Sequence, residues 1–569
     1  MDNKSIIKKL KLAIKLMELH EANPFKIRSY QSALNTIDRG DIILEDTDRT
    51  VFQNISGIGK SIAEVLNALL DTGSFPYLDD LIAQTPEGLL EVMEIKGLGP
   101  KKIRTLWQEL GITSTHELLE ACQSGQVAAI KGFGSKTQDT IIASLNFRDA
   151  NKGKWLYGQV DIALWDLKSK LETHFGKGNV EAVGDFARNA EILETVEWLV
   201  KSNDISSAID QLNNEPYLIN NKKISSPYTW RGKLENPEVN LVFYIVEEDK
   251  FINELLVRTS SKVHLHALVK DQVPLANIFR SKSFTSQEEA YEEAGLQYIS
   301  PELREGYFEI DLAREYKLPN LLVDSDLKGV LHNHSTYSDG KHTLRAMAEY
   351  CQSLGYEYLG ISDHSRTAIY AGGLDVNKVA KQQLEIADLN KEMAPFRIFS
   401  GIESDILGDG SLDYPDDVLA SFDFIVSSIH SILNMDRKKA TARLIRAIEN
   451  PYTTILGHPT GRLLLRRDGY PIDHKVIIDA CAKNNVIIEI NANPWRLDLD
   501  WRWVHYAISQ GVMLSINPDA HDKVDFGHMK YGVLIGRKGG LTKEMTLNAM
   551  NLAQITSYFE ERKSKILKS

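Results

Sequence analysis

Beyond residue 329 the chain alternates between short apolar runs and stretches whose apolar positions recur at helical spacing. The runs fall near 330–334, 357–362, 396–402, 423–429, 453–457, 486–491 and 512–517. Read as strands between amphipathic helices, they predict a parallel (β/α)7 barrel, one unit short of the usual eight. The first 150 residues have another rhythm, short helices broken by glycine turns. Between about Trp155 and Lys317 helical and strand patterns mix.

The glycine turns belong to an internal repeat: ISGIGKSIAEVL from Ile55, IKGLGPKKIRTL from Ile95 and IKGFGSKTQDTI from Ile130. Each copy places an apolar residue before Gly-apolar-Gly and then opens a helix. The glycine pairs are Gly57 and Gly59, Gly97 and Gly99, and Gly132 and Gly134. Such a turn leaves backbone N–H groups free at a helix N-terminus, where a phosphate can dock. Lys60, Lys101, Lys102 and Lys136 sit where they reinforce that contact, so the repeat predicts three grips on a DNA backbone.

Composition narrows the picture. At 569 residues, 43% hydrophobic and 25% charged, the chain has the makeup of a multidomain globular protein. A net charge of −12 excludes a general polyanion-binding surface, so nucleic-acid contacts are expected to be local. Cys122, Cys351 and Cys481 lie far apart with no CxxC, and MDNKSIIKKL lacks the apolar core of a signal peptide. A reduced, cytoplasmic protein with no membrane span is expected.

The candidate chemistry sits at the ends of the barrel strands, where such barrels build active sites. Val330 and Leu331 read as strand, which would turn His332 and His334 to one face. Asp339 follows them; then come His364, Glu403, His430, His458 and, after the last strand, Asp519 and His521. Ten of the fifteen histidines lie after Asp326, and six of those ten hold these positions. Recurrence at the same end of successive strands predicts metal binding. Imidazole and carboxylate without thiolate suit manganese, zinc or iron. Arg462, Arg466, Arg467 and Arg496 are placed to bind flanking phosphates.

The succession of these glycine hairpins, VEAVGDFARNAEILETVEWLV, VNLVFYIV and GLQYISPELREG resembles the bacterial family X DNA polymerases from end to end. The hairpins are similar to helix-hairpin-helix motifs, and the strand-end residues resemble the PHP domain, named for polymerases and histidinol phosphatases. The resemblance implies a lyase-like helical domain with the first hairpin at 1–80, a fingers-like hairpin region at 81–150, an α+β nucleotidyltransferase-like palm at 151–235, a thumb at 236–317, a linker at 318–328 and the PHP barrel at 329–569. It implies three divalent ions, manganese first, with zinc or iron as alternatives: one on His332, His334, Glu403 and Asp519, one on Glu403, His430 and His458, and one on Asp339, His364 and His521. Val330 departs from the family, which usually has an aspartate there. The palm departs further. The motif's serine aligns with Asp185, its arginine pair with Ala187 and Arg188, and its three metal-binding aspartates with Thr195, Glu197 and Asn240. One carboxylate in three remains, so polymerase activity is expected to be lost. The lyase lysine aligns with Val65, which cannot form an imine.

The resemblance thus implies a monomeric, manganese-dependent nuclease acting on gapped, nicked or abasic DNA and on 3′ ends, as a 3′-5′ exonuclease or an abasic-site endonuclease in repair, with His332, His334, Glu403, Asp519 and His430 catalytic. The alternatives are an active gap-filling polymerase and a small-molecule phosphatase of the histidinol-phosphatase type.

Overall fold

The computed structural model describes residues 1–38, 44–95 and 97–568. The chain forms two compact units, Met1–Lys152 and Gly153–Ser569. Among the described residues no helix is long and apolar enough to cross a membrane.

The first unit is helical. Its principal helices are α1 (Asn3–Leu19), α2 (Pro24–Asp38), α3 (Lys60–Thr72), α4 (Pro100–Leu110) and α5 (Gly134–Asn151). Ile6, Leu10, Met17, Leu66, Leu106 and Leu145 build its core. Gly57 and Gly97 stand at φ +87° and +86°, the left-handed conformation that favours glycine, and the chain then enters α3 and α4. The third copy differs: Phe133 occupies the cap position and Gly134 begins α5.

The second unit starts with α6 (Tyr157–Phe175) against a five-stranded sheet. Its strands are β1 (Val180–Val183), β2 (Val196–Lys201), β3 (Leu218–Asn220), β4 (Thr229–Leu234) and β5 (Asn240–Val246), ordered β1-β2-β5-β4-β3 with only β2 and β5 parallel. The buried rings of Trp198, Phe243 and Trp230 pack across it. A small helical cluster around Leu256, Phe279, Tyr291 and Leu303 follows.

The barrel comes last. β6 (Gly329–Val330), β7 (Tyr358–Ile361), β8 (Arg397–Asp405), β9 (Phe424–Ser428), β10 (Ile455–Leu456), β11 (Ile487–Asn491) and β12 (Leu514–Asn517) pair in parallel, each with its chain neighbour. The expected (β/α)7 architecture is therefore observed. Every strand from β9 to β12 is buried along its whole length, because helices cover the outside. Five of those helices start on a side-chain cap, from Thr343, Asp375, Asp436, Asp473 and Asp500 in turn, which sets where each strand-end loop stops. The seam between β12 and β6 is bridged by Asn548, whose amide donates to Gly329 O at 3.1 Å and Ile516 O at 2.7 Å.

One hydrophobic core runs from Leu164 and Trp198 beside the five-stranded sheet to Ile488 and Ile516 in the barrel. Polar contacts reinforce the junction. Lys530 Nζ lies 2.7 Å from Asp161, and Glu191 accepts from Trp501 Nε1 at 3.1 Å and from Arg502 at 3.0 Å. Lys538, 2% exposed, donates to Arg188 O at 2.7 Å and to the Glu305 carboxylate.

Candidate metal centre

The two-residue β6 ends before His332, so the expected strand through 334 is cut short. His332 stands at φ +57°, and this turn, rather than the pleat, brings both rings to one side. Their Nε2 atoms lie 3.6 and 3.2 Å from the same Asp519 oxygen. Asp519 is itself left-handed at φ +52°. Backbone strain of this kind persists where the surroundings over-determine a functional conformation.

The remaining side chains converge from the other strand ends. Glu403, placed on β8 rather than after it, is the hub. Its Oε1 lies 3.0 Å from His458 Nε2, 3.1 Å from His430 Nε2 and 3.3 Å from His332 Nε2. Its Oε2 lies 2.9 Å from His364 Nδ1 and 3.7 Å from His334 Nε2. Asp339 sits toward solvent, 3.6 Å from His364 and 3.4 Å from His521. All nine expected residues thus reach one pocket. Their ligand atoms sort into four overlapping groups: His334, Asp339, His364 and His521; His332, Glu403 and His458; His332, His334 and Asp519; and His364, Glu403 and His430. The structure thus sets His458 beside His332, and His430 beside His364. Buried nitrogens on His332, His334, His364 and His458, and Glu403 Oε2, lack hydrogen-bond partners in protein. Donors of this chemistry, held unpaired and buried, fit divalent cations.

Sequence reading missed the residues behind this shell. Glu489 on β11 sits 2.5 Å from His332 Nδ1, and Asp405 at the end of β8 sits 2.5 Å from His430 Nδ1. Each carboxylate fixes the ring so that Nε2 faces Glu403. Glu489 supplies the support that Val330 cannot. Asp363 underpins the first loop, accepting from Ser335 N at 2.8 Å and from the Ser338 hydroxyl at 2.5 Å. For Glu489 the hint in the sequence was a carboxylate inside an otherwise apolar run, VIIEI. Glu489→Gln keeps the volume and removes the charge; manganese affinity, read from metal-dependent thermal stabilisation, should fall about 10- to 100-fold.

Electrostatics divide the rings into two sets. Burial penalises every charge here, yet the surrounding imidazoles hold Glu403 and Asp519 well below the carboxylate range. Burial and the His521 and His364 rings push His334 down to about 3, and burial also lowers His458. Against burial, Glu403 and Asp405 carry His430 up to about 10, while Asp339 and Asp519 carry His521 up to about 9. Ionised carboxylates with neutral His334 and His458 suit cations, whereas the carboxylates hold protons on His332, His430 and His521 that a bound cation would displace.

The five-stranded sheet presents no comparable site. Thr195 precedes β2, and Glu197 is opposite Val242 on β5. The Glu197 carboxylate accepts from the Tyr244 hydroxyl at 2.8 Å and packs so tightly that a Cβ on Gly184 would come within 2.2 Å of it. The amide of Asn240 reaches Glu194 O at 3.4 Å. Asp185 and Arg188 pair with each other, and Arg188 Nε also meets Glu305 at 3.1 Å. Among the described residues, every group of three or more metal-type side chains within reach of one another lies in the barrel.

The basic residues divide. Arg496 Nε is 3.4 Å from Asp519, and Arg466 stacks 3.5 Å over Trp495. Arg467 turns one amine to Gly461 O at 2.7 Å. Arg462 departs from the expectation: its guanidinium is drawn inward by Asp500 at 2.5 Å and by Arg496 O at 2.8 Å, the loop carboxylate outcompeting solvent. In the hairpins, Gly59 and Gly99 cap α3 and α4 with no side-chain hydrogen bond, and a Cβ on either would meet nothing within 4 Å. Lys60 and Lys101 lie in the first turns of those helices, Lys102 leans toward the Phe133 ring at 5.5 Å, and Lys136 lies in the first turn of α5.

Comparison with known proteins follows the same division. Family models match residues 1–75 as a helix-hairpin-helix domain, 89–146 as a SAM-like helix-hairpin-helix tandem and 330–493 as a PHP domain. The chain is 34% identical, over 98% of its length and the whole of the relative, to the DNA polymerase/3′-5′ exonuclease PolX of Bacillus subtilis (strain 168). It is 27% identical over 42% of its length, covering 98% of the relative, to a protein named as a probable phosphatase in Thermoanaerobacter sp. (strain X514). A protein of the same description in Caldanaerobacter subterraneus is 24% identical over 42% of this chain and 94% of its own.

Proposed function

The chain belongs to the PolX family of DNA polymerase/3′-5′ exonucleases, and on that premise we propose that it is a metal-dependent phosphoesterase that hydrolyses DNA from 3′ ends, with its polymerase activity lost. The observation that carries this reading is the convergence of nine metal-type side chains at the mouth of the barrel, in a chain whose first unit carries DNA-gripping hairpins.

We assign His332, His334, Glu403 and Asp519 to one divalent ion, Glu403, His430 and His458 to a second, and Asp339, His364 and His521 to a third, with manganese preferred. When bound, such ions polarise water and the phosphoryl oxygens. The chain's own groups do the rest. Glu489 and Asp405 hold His332 and His430 in register, and Arg496, beside Asp519, is placed to meet a non-bridging phosphate oxygen. Cleavage at abasic sites uses the same centre. The protein acts as a monomer in the cytoplasm; its three cysteines are buried thiols.

The test is direct. With manganese, the full chain should shorten 3′ ends of gapped, end-labelled DNA and release nucleotides, and chelation should stop it. A preference for small phosphomonoesters, with DNA untouched, would replace this reading with the small-molecule phosphatase that the barrel's shorter relatives suggest.

The hairpins carry a separate expectation. Among the described residues nothing lies within 4 Å of a Cβ built on Gly59 or Gly99, so these helix starts are open to an incoming phosphate. Gly97→Val with Gly99→Val should weaken binding to gapped DNA at least about tenfold, since each lost phosphate contact weakens binding and more so in salt. Turnover of a small phosphodiester should hold. Unchanged DNA affinity would take the second hairpin out of the binding surface.

A further inference from the structure

The rim of the metal pocket is lopsided. On the side of the loops that follow β7 and β9, three large apolar residues face solvent: Ile369 is 84% exposed, Tyr370 73% and Ile432 63%. Ile369 and Tyr370 are adjacent, and the Tyr370 ring centroid lies 6.2 Å from that of His364, itself in the cluster around Glu403. Ile432 follows His430 by two residues and stands at φ +55°, a conformation β-branched residues rarely accept without a functional constraint.

The loop that shows Tyr370 is firmly held. Thr367 N and Oγ1 donate to Asp413 at 2.7 and 2.9 Å, and Oγ1 reaches Asp405 at 2.9 Å. Ala371 N and Gly373 N bond back to Ala368 O at 3.0 and 3.1 Å, and Lys378 Nζ caps Gly372 O at 3.0 Å. Ala368 and Ala371 are buried, so the loop is anchored on small residues and offers its large ones to solvent. Among the described residues, the ring contact of Tyr370 is with His364. Two arginines also lie beside the pocket: Arg496 next to Asp519, and Arg466 stacked on Trp495.

A single DNA strand has the same polarity, with flat apolar bases on one side and phosphates on the other. We infer that Tyr370, flanked by Ile369, is a stacking platform for the terminal base of a single-stranded or frayed 3′ end while the arginine side receives the phosphate. This deepens the nuclease reading and rests on it. An exposed ring recognises any base by its π face, so the platform selects for an unpaired base and not for sequence. A paired base, stacked inside a duplex, is not available to it.

The experiment uses the full chain with manganese and two single-stranded oligonucleotides that differ only at the 3′ residue, one carrying a base and one a base-free tetrahydrofuran. The wild type should favour the base-bearing end in kcat/KM. Tyr370→Ala should shrink that ratio about tenfold, through KM more than kcat, as expected for a lost base–aromatic stack. Tyr370→Phe should restore the ratio, because stacking needs the ring and not the hydroxyl. A ratio unmoved in Tyr370→Ala, or a Phe variant as poor as Ala, overturns the platform while leaving the nuclease intact. Failure of the wild type to hydrolyse either oligonucleotide overturns the nuclease reading and the platform with it.

Discussion

Asp519→Ala should leave no measurable manganese-dependent hydrolysis of DNA. One carboxylate there serves His332, His334 and His521 within 3.7 Å and also meets Arg496 at 3.4 Å. Its removal takes a ligand from the centre and a counter-charge from three rings and a guanidinium at once. Groups that act as a unit commonly cost a thousandfold or more when one is lost. DNA binding should survive, because the hairpins belong to the other unit. Retained exonuclease activity in this variant would move the active site out of the barrel.

The same variant should also fail to extend a primer, with magnesium or manganese and all four nucleotides. A polymerase palm needs several carboxylates to hold two cations between the primer oxygen and the triphosphate. Here Thr195 and Asn240 bring no charge, and the remaining Glu197 is already engaged by the Tyr244 hydroxyl. Neighbouring carboxylates are committed elsewhere: Glu191 to Trp501 and Arg502, and Glu238 to Lys233 at 3.3 Å. Using the nuclease-dead variant prevents degradation from hiding synthesis. Template-directed products would show that other carboxylates rebuild the site.

The barrel was legible in the sequence because seven buried strands must each be apolar, and because the chemistry recurs at the same end of six of them. The hairpins were legible because Gly57 and Gly97 hold backbone angles that disfavour side chains. What stayed hidden depends on distance along the chain. Glu489 is 157 residues from the His332 it orients, and no spacing rule links them. Nor does strand order say which imidazoles sit side by side, since loop paths bring His458 near His332 and His430 near His364. The first strand was overextended because His332 leaves the extended region, a break that no apolar pattern encodes. In the third hairpin the helix begins one residue earlier, at Gly134 itself, where a generic repeat predicts a copy of the first two.

The buried Lys538 ties the barrel to the five-stranded region that precedes it. Its ammonium is answered by Glu305 and by the carbonyl of Arg188, both outside the barrel, while Trp501 and Lys530 likewise find partners at Glu191 and Asp161. A barrel cut free of that region would lose these pairings and turn the Lys538 ammonium out to water. It would also bare the apolar seam it shares with the five-stranded sheet. The five-stranded sheet thus serves the barrel as a packing surface, whatever chemistry it carries itself.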